Sequence, residues 1–179
     1  RRLQVNSDIT LDTLHLAIQG AFDWYNSHLH RFAIGHPFDR ESELFLCEWD
    51  VENGEASGLP THNVRLDETL QVPGDVLEYI YDYGDNWDLQ IRLETVGSCD
   101  PEAPVVTCID GERAAPPEGC GSRRTAEDLA EILKNPAYFN LDEANESIEA
   151  SLCPGYAEAF LAKYAFHDGT SFVELDLKA

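Results

Sequence analysis

The stretch Tyr79-Ile-Tyr-Asp-Tyr-Gly-Asp-Asn-Trp-Asp-Leu-Gln-Ile-Arg-Leu93 decides the fold. Leu77, Tyr79, Tyr81 and Tyr83 alternate with Glu78, Ile80 and Asp82. Beyond Gly84-Asp85-Asn86, the residues Trp87, Leu89, Ile91 and Leu93 alternate with Asp88, Gln90 and Arg92. A period of two in aromatic and branched residues predicts two half-buried strands. Gly, Asp and Asn between them take positive φ or bond their own backbone, so the strands form a hairpin. Asp82, Asp85 and Asp88 then gather around one turn, beside Tyr83 and Trp87.

On the N-terminal side, Arg1 to Val5 reads as the end of a strand. Thr10 caps a helix near 11–25, with Leu11, Leu14, Ile18, Phe22 and Tyr25 at helical spacing and Asn26-Ser27 ending it. Strands are expected over Leu29–Ile34 and Glu43–Trp49. A short strand or extended piece is expected at His62–Leu66, and a helical turn at Leu66–Leu70. On the C-terminal side, Val105–Ile109 reads as a strand and Ala114–Ser122 as irregular, since its prolines and glycines oppose regular structure. Thr125 with Asp128, and Asn140 with Glu143, mark two helix starts. Pro154 opens a third helix with Tyr156, Phe160 and Tyr164 on one face; His167-Asp168-Gly169 turns the chain into a strand at Val173–Leu177. The expected class is α+β: an antiparallel or mixed β-sheet packed against helices, with a helical C-terminal segment.

The 179 residues carry 34 acidic and 12 basic side chains, a formal net charge of -22. That charge repels phosphate backbones, and basic residues pair only at Arg1-Arg2 and Arg123-Arg124, so direct nucleic-acid binding is disfavoured. With 43% hydrophobic residues the chain folds around a core, and one domain over 1–179 is the expectation. No apolar run reaches the ~20 residues that span a bilayer. The cysteines Cys47, Cys99, Cys108, Cys120 and Cys153 are odd in number and form no C-x-x-C pair, which points to a reducing cytoplasm. The chain contains no Met, so Arg1 reads as other than a natural start.

Three motifs stand in order: Leu14-His15 with Phe22-Asp-Trp24 and Ser27-His-Leu-His30, then Tyr81-Asp-Tyr-Gly-Asp-Asn-Trp87, then Pro116-Pro-Glu-Gly-Cys-Gly121. Together they resemble the plasmid pRiA4b ORF-3-like family, whose members also occur as passengers of insertion elements. The resemblance runs from Arg1 to about Leu133, and 153–179 reads as a variant tail. It implies a bacterial or archaeal cytoplasmic protein with a mixed or antiparallel sheet. It implies no particular activity. It also implies a strand leading into Arg1-Arg2, without which a sheet edge would lie open. Where relatives have His, this chain has Leu89. Where they read Cys-Pro-Pro-Glu-Asp it has Ala115-Pro-Pro-Glu-Gly119, and Ser122 replaces a glycine.

The candidate polar set is His28, His30, Asp82, Asp85, Trp87, Glu118 and Cys120. His28 and His30, at i and i+2 of an extended strand, would share a side and could hold a divalent metal with Asp85, Glu118, Cys108 or Cys120 as a third ligand. The plain alternative is a buried His bonded to backbone, as for His15 on its helix. Asp82 and Asp85 could hold Mg²⁺ or transfer protons, or serve only as turn residues. Trp24, Trp87 and the hairpin tyrosines read as core rather than a ligand cage. Cys120, between Gly119 and Gly121, could be a reactive thiol, yet nothing close in sequence activates it. No P-loop, G-x-S-x-G or G-x-G-x-x-G is present. The reading that results is a non-catalytic binding or interaction module, with no cofactor expected and an unidentified protein or small molecule as partner. A metal-dependent hydrolase or nuclease on the His and carboxylate set is the alternative. An accessory protein of mobile elements is a third.

Overall fold

The computed structural model describes residues 1–39, 41–54, 57–120, 125–153 and 171–178. Eight strands form one sheet: β1 (Arg2–Asn6), β2 (His30–Ile34), β3 (Glu43–Leu46), β4 (Leu59–Pro60), β5 (Val76–Tyr81), β6 (Trp87–Ser98), β7 (Val106–Asp110) and β8 (Ser171–Lys178). Their spatial order is β4-β3-β2-β5-β6-β8-β1-β7. Every ladder is antiparallel except the short β3–β4 pair. The helices are α1 (Leu11–Ala21), α2 (Glu48–Asn53), α3 (Leu66–Thr69), α4 (Ala126–Ile132) and α5 (Leu141–Leu152). Among the described residues no helix is long and apolar enough to cross a membrane.

The expectation of a helical C-terminal segment is corrected. Among the described residues strand outweighs helix, and the last described segment is β8, which lies between β6 and β1. Val173, Leu175 and Leu177 point into the core and alternate with half-buried Glu174 and Asp176. The helix expected from Pro154 and the turn at His167-Asp168-Gly169 lie outside the described residues, as does the Arg123-Arg124 pair. β1 is flanked by β7 on one side and β8 on the other, so the sheet edges fall at β4 and β7 rather than at Arg1-Arg2.

The hairpin is β5–β6, with Tyr81 opposite Trp87, Tyr79 opposite Leu89 and Leu77 opposite Ile91. Asp82 and Asn86 both take left-handed φ, 55° and 57°, and the Asn86 N–H closes the turn on the Asp82 carbonyl at 2.5 Å. Tyr83 therefore leaves the strand pattern. Its hydroxyl meets the buried Arg31–Asp50 pair, accepting from Arg31 Nε at 3.0 Å and donating to Asp50 Oδ2 at 2.5 Å.

All eleven residues of α1 are buried. One side meets the sheet, and the other meets α5 so closely that a Cβ on Gly20 would stand 2.6 Å from the Ile148 Cα. The helix stops at Ala21 rather than near Tyr25. Asp23 takes φ 55°, the Trp24 N–H donates to the Gln19 carbonyl and the Asp23 N–H to that of Gly20. This is a left-handed C-terminal cap with Asp where Gly is usual. Two other boundaries move. Cys47 caps α2, so Trp49 is helical, and of the extended piece expected at His62–Leu66 only Val64 and Arg65 are extended, with His62 and Asn63 in a 3-10 turn. At the β7 edge, Asn145 of α5 pairs with the backbone of Cys108, accepting its N–H at 2.8 Å and donating to its carbonyl at 3.0 Å.

Candidate functional site

The left-handed cap at Asp23 turns the chain across the end of the hairpin, and residues 24–29 lie against Tyr81. The 114–118 loop packs on top. Trp24 stacks on Tyr81 with ring centroids 5.1 Å apart, and its Nε1 donates to the Pro116 carbonyl at 2.9 Å. The three sequence motifs thus meet at one place.

Glu118 joins them. Its carboxylate accepts from the Tyr25 N–H, from the Ser27 N–H at 3.2 Å, from the Ser27 hydroxyl and from Tyr81 Oη at 2.5 Å. Tyr81 Oη in turn accepts the backbone N–H of Ser27 at 2.9 Å. Burial works to raise the Glu118 pKa, but the donors from Ser27, Tyr81 and Tyr25 outweigh it and hold the carboxyl below its ordinary value. The Tyr81 phenol is raised, first by burial and then by its bond to the carboxylate.

His28 stands half-exposed beside this group, its Nε2 3.5 Å from Asp82 Oδ2 and 3.7 Å from Glu118 Oε1. Asp82 uses its other oxygen in the turn, where Oδ1 accepts the N–H groups of Gly84 at 3.0 Å and Asp85 at 3.2 Å. Asp85 is half-buried in that turn. Trp87 is buried and lies 6.0 Å from the ring of Trp24, as a core residue should. Cys120 is half-buried against the same core. Leu89, where relatives carry His, is fully buried opposite Tyr79.

His30 goes elsewhere. Strand β2 begins at His30, so His28 precedes it and the two rings do not share a side as ligands. The His30 ring stacks on His15 at 3.5 Å with 7° between the planes, and both residues are buried. Among the described residues no group of three or more His, Cys, Asp and Glu side chains is placed to hold a metal ion.

Sequence reasoning missed the partners of these residues. Ser27 and Tyr25 give Glu118 its donors, and Gln19, Asn26 and Tyr79 surround His15. Only the motif spacing hinted at them, because each contact crosses between distant segments.

Beside the Glu118 group lies a cleft of about 560 Å³ between the end of α1, the 114–118 loop and the start of α5. Phe22, Tyr25, Tyr138 and Phe139 line it, with Asp23, Glu118, Glu143 and Glu146. Among the described residues its one lysine or arginine is Arg1, whose guanidinium sits 4.6 Å from the Phe139 ring centroid and 5.3 Å from that of Phe22.

Comparison with known proteins agrees with the motif reading. The chain is 31% identical over 140 residues to the uncharacterised protein y4hQ of Sinorhizobium fredii, covering 77% of this chain and 67% of that one. The crystal structure of MM3350, a protein of unknown function from Methanosarcina mazei, is similar with a TM-score of 0.65 at 25% identity, covering 80% of this chain and 86% of that one. The plasmid pRiA4b ORF-3-like protein family matches residues 1–161, beyond the limit near Leu133 drawn from the motifs, and the chain belongs to that family.

Proposed function

We propose that the chain is a binding module without catalysis, and that it takes a cationic ligand in the cleft beside the 114–118 loop. The observation that carries this reading is the lining: aromatic rings together with four carboxylates, against Arg1 as the one lysine or arginine among the described residues that line it. Ring faces and carboxylates both favour a cation, and a net charge of -22 steers cations toward the molecule. The engagement of Glu118 by backbone, hydroxyl and phenol donors supports a structural role for the polar group rather than proton transfer. The test is calorimetric titration with spermidine and with an arginine-rich peptide. Binding that weakens with salt, and that falls at least tenfold in Glu143→Gln/Glu146→Gln, is expected. Absence of heat with both probes at low ionic strength overturns the ligand class. Turnover of generic esterase, phosphatase, nuclease or protease substrates that disappears in Asp85→Ala or His30→Ala overturns the non-catalytic reading.

One observation favours a metal-dependent hydrolase instead: His28 Nε2 lies within 4 Å of carboxylate oxygens of both Asp82 and Glu118. Elemental analysis of protein purified without chelator decides it. Stoichiometric metal, with a higher melting temperature on adding Zn²⁺, Mn²⁺ or Mg²⁺, would favour that reading. The odd number and scattered spacing of the five cysteines support a reducing compartment such as the cytoplasm.

A further inference from the structure

The cleft beside the 114–118 loop is longer than it is round. It runs into a smaller pocket of about 150 Å³ that shares Gly20, Asp23, Tyr25, Ser147 and Ala150 with it. Together they make a groove along the crossing of α1 and α5. Its floor is small and apolar: Gly20 and Ala21 come from α1, Ala144 and Ala150 from α5, and Gly20 abuts the Ile148 backbone beneath. Tyr25 and Tyr138 line it with exposed rings.

Carboxylates stand on both sides of that floor. Asp23 follows α1, and Glu143 and Glu146 belong to α5. Among the described residues the carboxylates of Asp23 and Glu146 have no hydrogen bond or ion pair. Glu143 uses one oxygen, Oε1, to accept from the Tyr138 hydroxyl at 2.8 Å and the Asn140 amide at 3.2 Å. Glu118 is spent on Tyr25, Ser27 and Tyr81.

Donors in the lining are scarcer. The N–H groups of Phe22 and Asp23 go to carbonyls of α1, that of Tyr25 to Glu118 and that of Ala114 to the Pro136 carbonyl. Pro116 and Pro117 have none. Arg1 is engaged as well. Its Nε donates to the Ala21 carbonyl at 3.0 Å and its Nη1 to the carbonyls of Glu112 at 2.7 Å and Arg113 at 3.0 Å, with Phe22 and Phe139 against its guanidinium. The chain's own cation is thus met by rings and carbonyls, which leaves Asp23, Glu143 and Glu146 for a cation from outside. A peptide would bring a carbonyl with every amide into a groove richer in open acceptors than in open donors. A ligand that only donates fits it better.

We propose that the groove is a site for a linear aliphatic polyamine of the spermidine class, which rests on the reading of the cleft as a site for cations. One ammonium group meets Asp23, another meets Glu143 and Glu146, and the methylene chain between them lies over the alanine floor and the tyrosine rings. Two charged contacts joined by one chain reinforce each other, because the second forms at high effective concentration. A single amine reaches one side only.

Calorimetric titration of the full chain at one low ionic strength, with spermidine, n-butylamine and an arginine-rich peptide, tests this. Spermidine should bind once per chain and at least about tenfold tighter than n-butylamine. Asp23→Asn keeps the left-handed cap, since Asn takes that φ as readily as Asp, and Glu146→Gln alters an exposed helix position. Each should weaken spermidine by at least about threefold. Glu52→Gln removes the same charge from an exposed position of α2 and should leave binding unchanged. An equal loss in all three variants overturns the proposal, because diffuse acidity then holds the ligand. So does no loss in Asp23→Asn or in Glu146→Gln, or n-butylamine binding as tightly as spermidine. Heat from the peptide and none from spermidine overturns the polyamine and leaves a cation cleft of another class. With no heat from any of the three, the cationic reading falls too.

Discussion

Replacing Glu118 by Gln swaps a carboxylate that accepts from four donors for an amide with one acceptor oxygen and an unwanted donor. The loss should be about 1–3 kcal/mol, read as a lower midpoint in urea with unchanged slope. The same carboxylate has a pH signature. Its folded pKa is depressed, so its contribution is present above the ordinary carboxylate value and is lost as pH falls through the lowered one. Trp87 is buried against Trp24, and Trp87→Ala should cost about 3–5 kcal/mol by the same measurement. Asp85 separates two readings of its turn: Asp85→Asn lowers the melting temperature if the carboxylate bonds the turn, and raises or preserves it if the carboxylate is held there for a ligand. At this scale the sequence was legible where a side chain acts through a local pattern, as Asp82 does in its Asx turn. It was opaque where partners come from afar. Nothing in Ser27-His-Leu-His30 announces that His28 faces a carboxylate pair while His30 stacks on a helix residue, because strand β2 begins between them.

Helix α1 shows how elements set one another's limits. Gly20 stands against the backbone of α5, with Ser147 and Ile148 inside the distance a Cβ would need. Gly20→Ala, although favourable for an isolated helix, should therefore destabilise the fold by about 1–3 kcal/mol, measured by chemical denaturation. Asn145 secures the other side of α5. Its amide occupies the backbone groups that Cys108 presents at the β7 edge. Asn145→Leu should leave that edge unpaired and promote self-association, visible in sedimentation velocity. The apolar periodicity of α1 was plain in the sequence, but its end was not, because Asp23 does the work of the usual Gly. Likewise Glu43–Trp49 read as one strand, since a two-residue period cannot show that Cys47 turns the chain into a helix.

For the molecule as a whole, the acidic charge and the buried imidazoles act in opposite directions below neutrality: protonation relieves the self-repulsion of a chain at -22 and costs stability at the imidazoles. Unfolded histidine takes up a proton near pH 6.5, while folded His15 does so only at about 4. Stability from this group alone should fall by roughly 3 kcal/mol between those values, a decline that His15→Gln would remove from a plot of urea midpoint against pH. At neutral pH added salt should raise the melting temperature by screening self-repulsion among 34 acidic side chains.

The position of β8 bears on how the protein comes into being. The last described strand lies between β6 and β1, which share no ladder of their own. During synthesis the first strand emerges early and has its β8 partner only when residues near 171–178 have cleared the ribosome. Until then the β2–β6 group and the β1–β7 pair are two separate sheets, each with an exposed seam. Closure through contacts so distant in sequence is slow, and the seams on either side of the β8 position are where aggregation during refolding should begin.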